Sequence, residues 1–303
     1  MPSKPAPVTV SDIKTFFTKS TRNENDLTNR VRENVLKIIH NPPKEYLEDS
    51  EFGTLWNLVH QQWNNALQKI AVDTNIPHYT SIKIKARGGR RCHYDVDVMY
   101  YNENTLVANR KIEFKNGGKN IESQPQFLSL QTKFQLISIT YCAFWHENYL
   151  DKYLACDPEI TEPKPAKDVY LKHVTKTNYS TTPFFAQLKK RELFFQPEKN
   201  AVVNASIKDY LEKHGKEIDI ATFSEKVQKT QMDKIFLLWS DGQFCVDSLS
   251  EKEMSGMTFH SIKNGNVLEL KSGNTVYGLL LRWRNHKGIL NPAWQISMKR
   301  KPD

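Results

Sequence analysis

No CxxC pair occurs in the sequence. Cys92, Cys142, Cys156 and Cys245 stand apart, which argues against a disulfide framework or a cysteine-based zinc site and leaves reduced packing residues as the expectation. No apolar run approaches the roughly 18–20 residues that a membrane span needs, and the start MPSKPAPVTV has no signal-peptide core. The expectation is a soluble intracellular protein, neither secreted nor embedded in a membrane. GxxxxGK[ST] and GxGxxG loops are both missing, and the histidines show no HxxxH spacing, so ATP-driven, nicotinamide-dependent and histidine-zinc chemistry are not expected. Internal repeats and low-complexity tracts are missing too. Acidic charge is in deficit: 34 Asp+Glu against 43 Lys+Arg gives a net +9, which favours a polyanionic partner.

What is present reads as α/β. The chain's 303 residues, 39% hydrophobic, give room for one large or two ordinary domains. Leu27, Val31, Val35 and Ile38 recur at helical spacing, as do Leu55, Val59, Trp63 and Leu67, so two amphipathic helices open the fold. Strands are expected at about 80–87, 92–101 and 106–114, joined by Gly88-Gly89 and by a turn around Asn104 into an antiparallel meander. The aromatic segment from Gln124 to Leu154 predicts one or two helices, with a short strand near 137–143. Prolines and charges at 158–168 suggest a linker between a domain over 10–157 and a C-terminal region over 169–303. That region begins helical and becomes β-rich from Lys234, with hairpin turns at Asp241-Gly242 and Ser272-Gly273.

The stretch HYDVDVMYYNENTLVANRKIEFKNGG, from His93 to Gly118, carries the chemistry. With the turn at Asn104, Asp95 opposes Glu113, Asp97 opposes Lys111 and His93 opposes Lys115. Asp95, Asp97, Glu113 and Lys115 then share one face, while Tyr94, Val96, Val98, Ile112 and Phe114 take the core side. A two-residue slip would instead oppose Asp97 to Glu113, so either aspartate remains eligible as the closer partner. Carboxylates so placed repel one another unless a cation joins them. Hard oxygen ligands suit Mg²⁺ or Mn²⁺, with a polyanionic substrate completing the shell. Lys115 emerges beside them, where an ammonium orients water and stabilises charge developing on a phosphate.

An aspartate followed by IEFKNG on the adjacent strand, after an N-terminal helix, resembles the PD-(D/E)XK nuclease superfamily. The resemblance spans roughly 23–150 and implies a restriction-endonuclease-like core, a mixed sheet with flanking helices, within the α/β chain. It implies that Glu113 and the aspartate, Asp95 or Asp97, hold the metal and that Lys115 assists the attacking water. No proline precedes either aspartate, a departure from the family pattern. Members often add an acid from the first helix and a polar residue after ExK, for which Glu24 or Glu33 and Gln124, Gln126 or Gln131 are candidates; His93 is a further accessory candidate. A second ExK copy, Glu269 and Lys271, lacks an acid-bearing partner strand and is read as exposed strand charge.

Basic residues supply a grip. Lys83, Lys85, Arg87, Arg90 and Arg91 cluster without an acid just upstream of the hairpin, and Lys111, Arg282 and Arg284 extend the set of candidate phosphate contacts. The expected function is a Mg²⁺- or Mn²⁺-dependent endonuclease acting on DNA. The alternatives are an exonuclease, a structure-selective or RNA endonuclease of the same superfamily, or a non-catalytic nucleic-acid-binding protein. A restriction-type enzyme cutting both strands of a palindrome would be expected to form a homodimer.

Overall fold

Helical periodicity becomes helix where it was expected. The computed structural model describes residues 7–19, 25–87, 92–174, 182–192, 197–286 and 289–301. Helix α1 (Asn25–Ile38) buries Val35 and Leu36 but leaves Leu27 exposed. After the short α2 (Lys44–Glu48), α3 (Gly53–Asp73) buries Trp56, Val59, Trp63, Leu67 and Ile70. Each lies three or four residues from the next, so they form one stripe. Gly53 is required at the start of α3, because a Cβ there would lie 2.8 Å from the Leu47 carbonyl oxygen.

That stripe packs with alternate residues of a sheet. β1 (Ser81–Ala86), β2 (Val96–Asn102) and β3 (Thr105–Asn116) form the expected antiparallel meander. β4 (Leu128–Gln131) joins a different sheet. The chain returns with β5 (Lys234–Ser240), parallel to β3, and β6 (Gln243–Asp247), giving a mixed sheet of order β1-β2-β3-β5-β6. The apolar run Ile235–Trp239 of β5 is buried throughout, as befits an interior strand next to a parallel neighbour. Asp241 and Gly242 both have positive φ, +53° and +79°, the conformation that closes a two-residue hairpin with the right twist. Val96, Val98, Tyr100, Ile112, Phe114, Ile235, Leu237 and Trp239 join the α3 residues in one core.

The chain divides into two compact units: Met1–Gln124 with Gln228–Ser250, and Pro125–Val227 with Glu251–Asp303. The expected boundary at 158–168 is therefore corrected. Residues 234–247 join the first unit's sheet, β5 pairing with β3 and β6 with β5, and cannot belong to a single region over 169–303, while 158–168 lies wholly inside the second unit. Asp157, buried beside that segment, accepts two 2.9 Å hydrogen bonds from Arg191 and another from Lys199, while Glu162 N–H donates to Gln187 at 2.9 Å. These bonds tie the proline-rich stretch down as a surface connection.

The second unit contains α4 (Tyr141–Asn148), α5 (Leu150–Ala155), α6 (Lys167–Val174), α7 (Pro183–Glu192), α8 (Pro197–His214), most of α9 (Ile220–Gln231) and α10 (Glu251–Met254). Its sheet has the order β4-β10-β9-β8-β7, with β7 (Thr258–Lys263), β8 (Val267–Ser272), β9 (Thr275–His286) and β10 (Ile289–Arg300). The short strand expected near 137–143 lies instead at Leu128–Gln131. Thr140 caps α4, its hydroxyl accepting from Ala143 N–H at 3.3 Å, which commits the following residues to helix. Among the described residues no helix is long and apolar enough to cross a membrane.

Candidate active site

Cross-strand partners share a face, so register decides which charges meet. On β2 and β3 opposed residue numbers add to 208 from Val96 to Tyr100, the register expected from the sequence, before a shift between Tyr100 and Tyr101 near the turn. Lys85, Asp97, Lys111 and Lys234 are successive partners across β1, β2, β3 and β5 and form one charged row. Glu113 and Lys115 follow Lys111 on its face, while Ile112 and Phe114 enter the core.

Asp95 sits in a bend just before β2. Its backbone N–H donates to the Ile112 carbonyl at 2.8 Å, and its Oδ2 accepts from Phe114 N–H at 2.8 Å. The carboxylate thereby takes the place of a ladder carbonyl and is fastened to the strand that carries Glu113 and Lys115. Burial pushes the Asp95 carboxyl above its ordinary range; the Phe114 hydrogen bond opposes this, and Glu113 adds to the rise. Glu113 is paired on both oxygens, with Lys115 at Oε1 and Lys234 at Oε2. Lys234 also donates to the His93 carbonyl at 2.7 Å. Burial pulls the Lys234 ammonium below its ordinary range, and Glu113 works against that fall.

Glu33 of α1 completes the cluster. Its carboxyl is raised from the ordinary 4.5 to about 7, by burial first and by the charge of Asp95 second, with Lys37 and Lys115 opposing. Folding therefore disfavours ionised Glu33, so this group's destabilisation sets in as pH rises above 4.5 and is complete above about 7. Glu33→Gln should stabilise the protein at pH 8 by on the order of 1–2 kcal/mol, after allowance for the water that reaches a partly exposed carboxyl, and change little at pH 4. Melting curves at the two pH values check this; an equal shift at both would detach the effect from ionisation.

Asp97 is committed to a different partner, Arg87. Its side chain is 1% exposed, with Oδ2 accepting from Arg87 Nε at 2.5 Å and Oδ1 making no hydrogen bond among the described residues. Tyr94, expected on the core side, stands instead beside Asp97 and Lys111. Residues 93–95 bend rather than extend, so strict alternation does not reach them.

The remaining expected residues are distributed as follows. Lys83 and Lys85 are exposed on the edge strand β1, Lys83 lying 4.7 Å from the Tyr101 ring centroid. Lys111 pairs with Asp233. His93 is exposed and joins the site through its carbonyl. Gln131 belongs to β4 of the second unit, so it is not assembled with Asp95 and Glu113 within the first. Gln124, in the first unit, donates to the Gly117 carbonyl. Arg282 lies on β9; Glu24, Arg90, Arg91 and the Arg284 side chain fall outside the described residues. Glu269 of the second ExK copy accepts from Ser261 at 2.6 Å and has Ser261 and Gly278 as strand partners, neither an acid.

Lys234 is the member that sequence reasoning missed. Its only local signal is a lysine at the start of an apolar strand, and its place depends on the parallel pairing of β5 with β3. No protein-family model matches the chain, and no curated protein matches it.

Proposed function

We propose that the first unit is a divalent-metal-dependent nuclease with Asp95, Glu113 and Lys115 at its centre, in the manner of the PD-(D/E)XK nucleases. The observation that carries this reading is the fastening of Asp95 to Phe114, between Glu113 and Lys115, on one charged sheet face. Among the described residues no group of three or more acid, histidine or cysteine side chains is placed to hold a metal by itself. Mg²⁺ does not ask for such a group, since it binds through one or two carboxylates together with waters and substrate phosphates. Asp95 and Glu113 fit that donor set, with Glu33 as a neighbouring acid. The ion, when bound, would polarise a phosphoryl oxygen and acidify water.

The chain's own residues have separate tasks. Asp95 and Glu113 supply oxygens, and Lys115 orients the attacking water and offsets charge gathering on the phosphate. Lys83, Lys85 and Lys111 belong to the same face of the sheet and hold the nucleic-acid backbone. Arg87, committed to Asp97, serves the sheet edge first. Replacing Lys83 and Lys85 by Gln should flatten the log-log salt dependence of DNA binding by about 0.9 for each phosphate left without its lysine. An unchanged slope would move the grip elsewhere on the chain.

Purified protein offered supercoiled plasmid, linear duplex, single-stranded DNA and RNA in Mg²⁺ tests the function. Nicking of the closed circle identifies a DNA endonuclease. Turnover confined to ends or to RNA selects one of the alternative nucleases, and binding without any cleavage in Mg²⁺ or Mn²⁺ selects the non-catalytic binder.

A further inference from the structure

Both carboxylate oxygens of Glu113 are held by ammonium groups, and only one of these belongs to the ExK triplet. Lys115 takes Oε1; Lys234, arriving from β5, takes Oε2 with a side chain 2% exposed. The second hydrogen bond of Lys234, 2.7 Å to the His93 carbonyl, fixes its ammonium between the bend that carries Asp95 and the strand that carries Glu113. Lys234 also feels the charges of Asp95 and Lys115. Two lysines thus stand among the three acids Glu33, Asp95 and Glu113, and the cluster is close to balanced without a further cation.

A divalent ion entering between Asp95 and Glu113 would have to draw Oε2 away from Lys234 and then sit beside a buried like charge. Such repulsion is strong where water is scarce. A phosphodiester arriving with the ion brings the negative charge that offsets it. We propose that Lys234 is a positioning residue that acts as an internal counter-ion: it holds Glu113 in place and makes divalent-ion binding depend on the substrate's phosphate. This inference rests on the metal-site reading above. By linkage, the ion must then tighten nucleic-acid binding by the same factor by which nucleic acid tightens the ion.

The test compares the full-length wild type with Lys234→Gln, which keeps a donor for His93 and Glu113 but removes the charge. Free Mn²⁺ is titrated by electron paramagnetic resonance, with and without a hydrolysis-resistant phosphorothioate duplex. Without duplex, Lys234→Gln should bind Mn²⁺ at least about tenfold tighter than wild type, because a unit charge beside a divalent ion has been removed. Duplex should tighten the wild type by the larger factor. Equal or weaker Mn²⁺ binding by Lys234→Gln, alongside measurable binding by wild type, overturns the counter-ion role and leaves the metal site standing. No Mn²⁺ binding by either protein, with or without duplex, removes the metal site and this inference together. Should Lys234→Gln fail to fold, the ¹⁵N resonance of the wild-type Lys234 ammonium decides: Mg²⁺ with duplex should shift it as Glu113 is withdrawn, and an unmoved resonance overturns the role.

Discussion

Lys115→Ala and Asp95→Asn are each expected to slow single-turnover cleavage by on the order of a hundred- to a thousandfold, the scale seen when one preorganised charge-stabilising group is removed. Neither change should unfold the protein. Lys115 is 26% exposed, and its loss leaves Glu113 still paired with Lys234. An asparagine at 95 can still accept from Phe114 N–H. Asp97→Asn is expected to act differently: it removes the charge that Arg87 answers, lowering the melting temperature while each folded molecule keeps its cleavage rate. Rates and melting curves on the three variants separate the two aspartates. Equal loss of rate at Asp95 and Asp97 would instead assign the ion to both.

Removing the metal should have a comparably large effect. Activity is expected to require Mg²⁺ or Mn²⁺, to vanish in EDTA, to return when Mg²⁺ is restored in excess, and to be suppressed by Ca²⁺. Ca²⁺ occupies oxygen sites but prefers a larger, looser shell than the octahedral one Mg²⁺ imposes. Titration of a plasmid-nicking reaction with each ion checks the order. Full activity in EDTA would assign the chemistry to a metal-free mechanism and leave the carboxylates as surface charge.

The hairpin is legible in the sequence because alternation and turn chemistry are local. The pattern VDVMYY against ANRKIEF permits few registers that put Val96, Val98, Ile112 and Phe114 together in a core, and the register at Asp97 and Lys111 is the expected one. Periodicity stops being a guide at residues 93–95, where the chain bends. There a side-chain hydrogen bond from Phe114 N–H, which leaves no mark in the sequence, draws Asp95 toward Glu113, while Asp97 is committed to Arg87. Lys234 is hidden for another reason: β5 pairs with β3 across a long return of chain, joining Lys234 to Lys111, with the second unit's helices in between. The same return makes 158–168 look like a domain boundary. Glu33 is one of several acids in the opening helical segment, and only its burial and its coupling to Asp95 distinguish it from the others.

The most direct measurement is the nicking of supercoiled plasmid in Mg²⁺ by wild type and by Glu113→Gln, purified side by side and matched for DNA affinity in Ca²⁺. Glu113 is the residue on which Lys115, Lys234 and the proposed ion converge, and an amide there keeps the size of the side chain while losing its charge. The wild type should nick in a metal-dependent way and the variant should lose activity on the order of a thousandfold or more, with DNA binding retained. Nicking by Glu113→Gln at the wild-type rate would contradict this expectation.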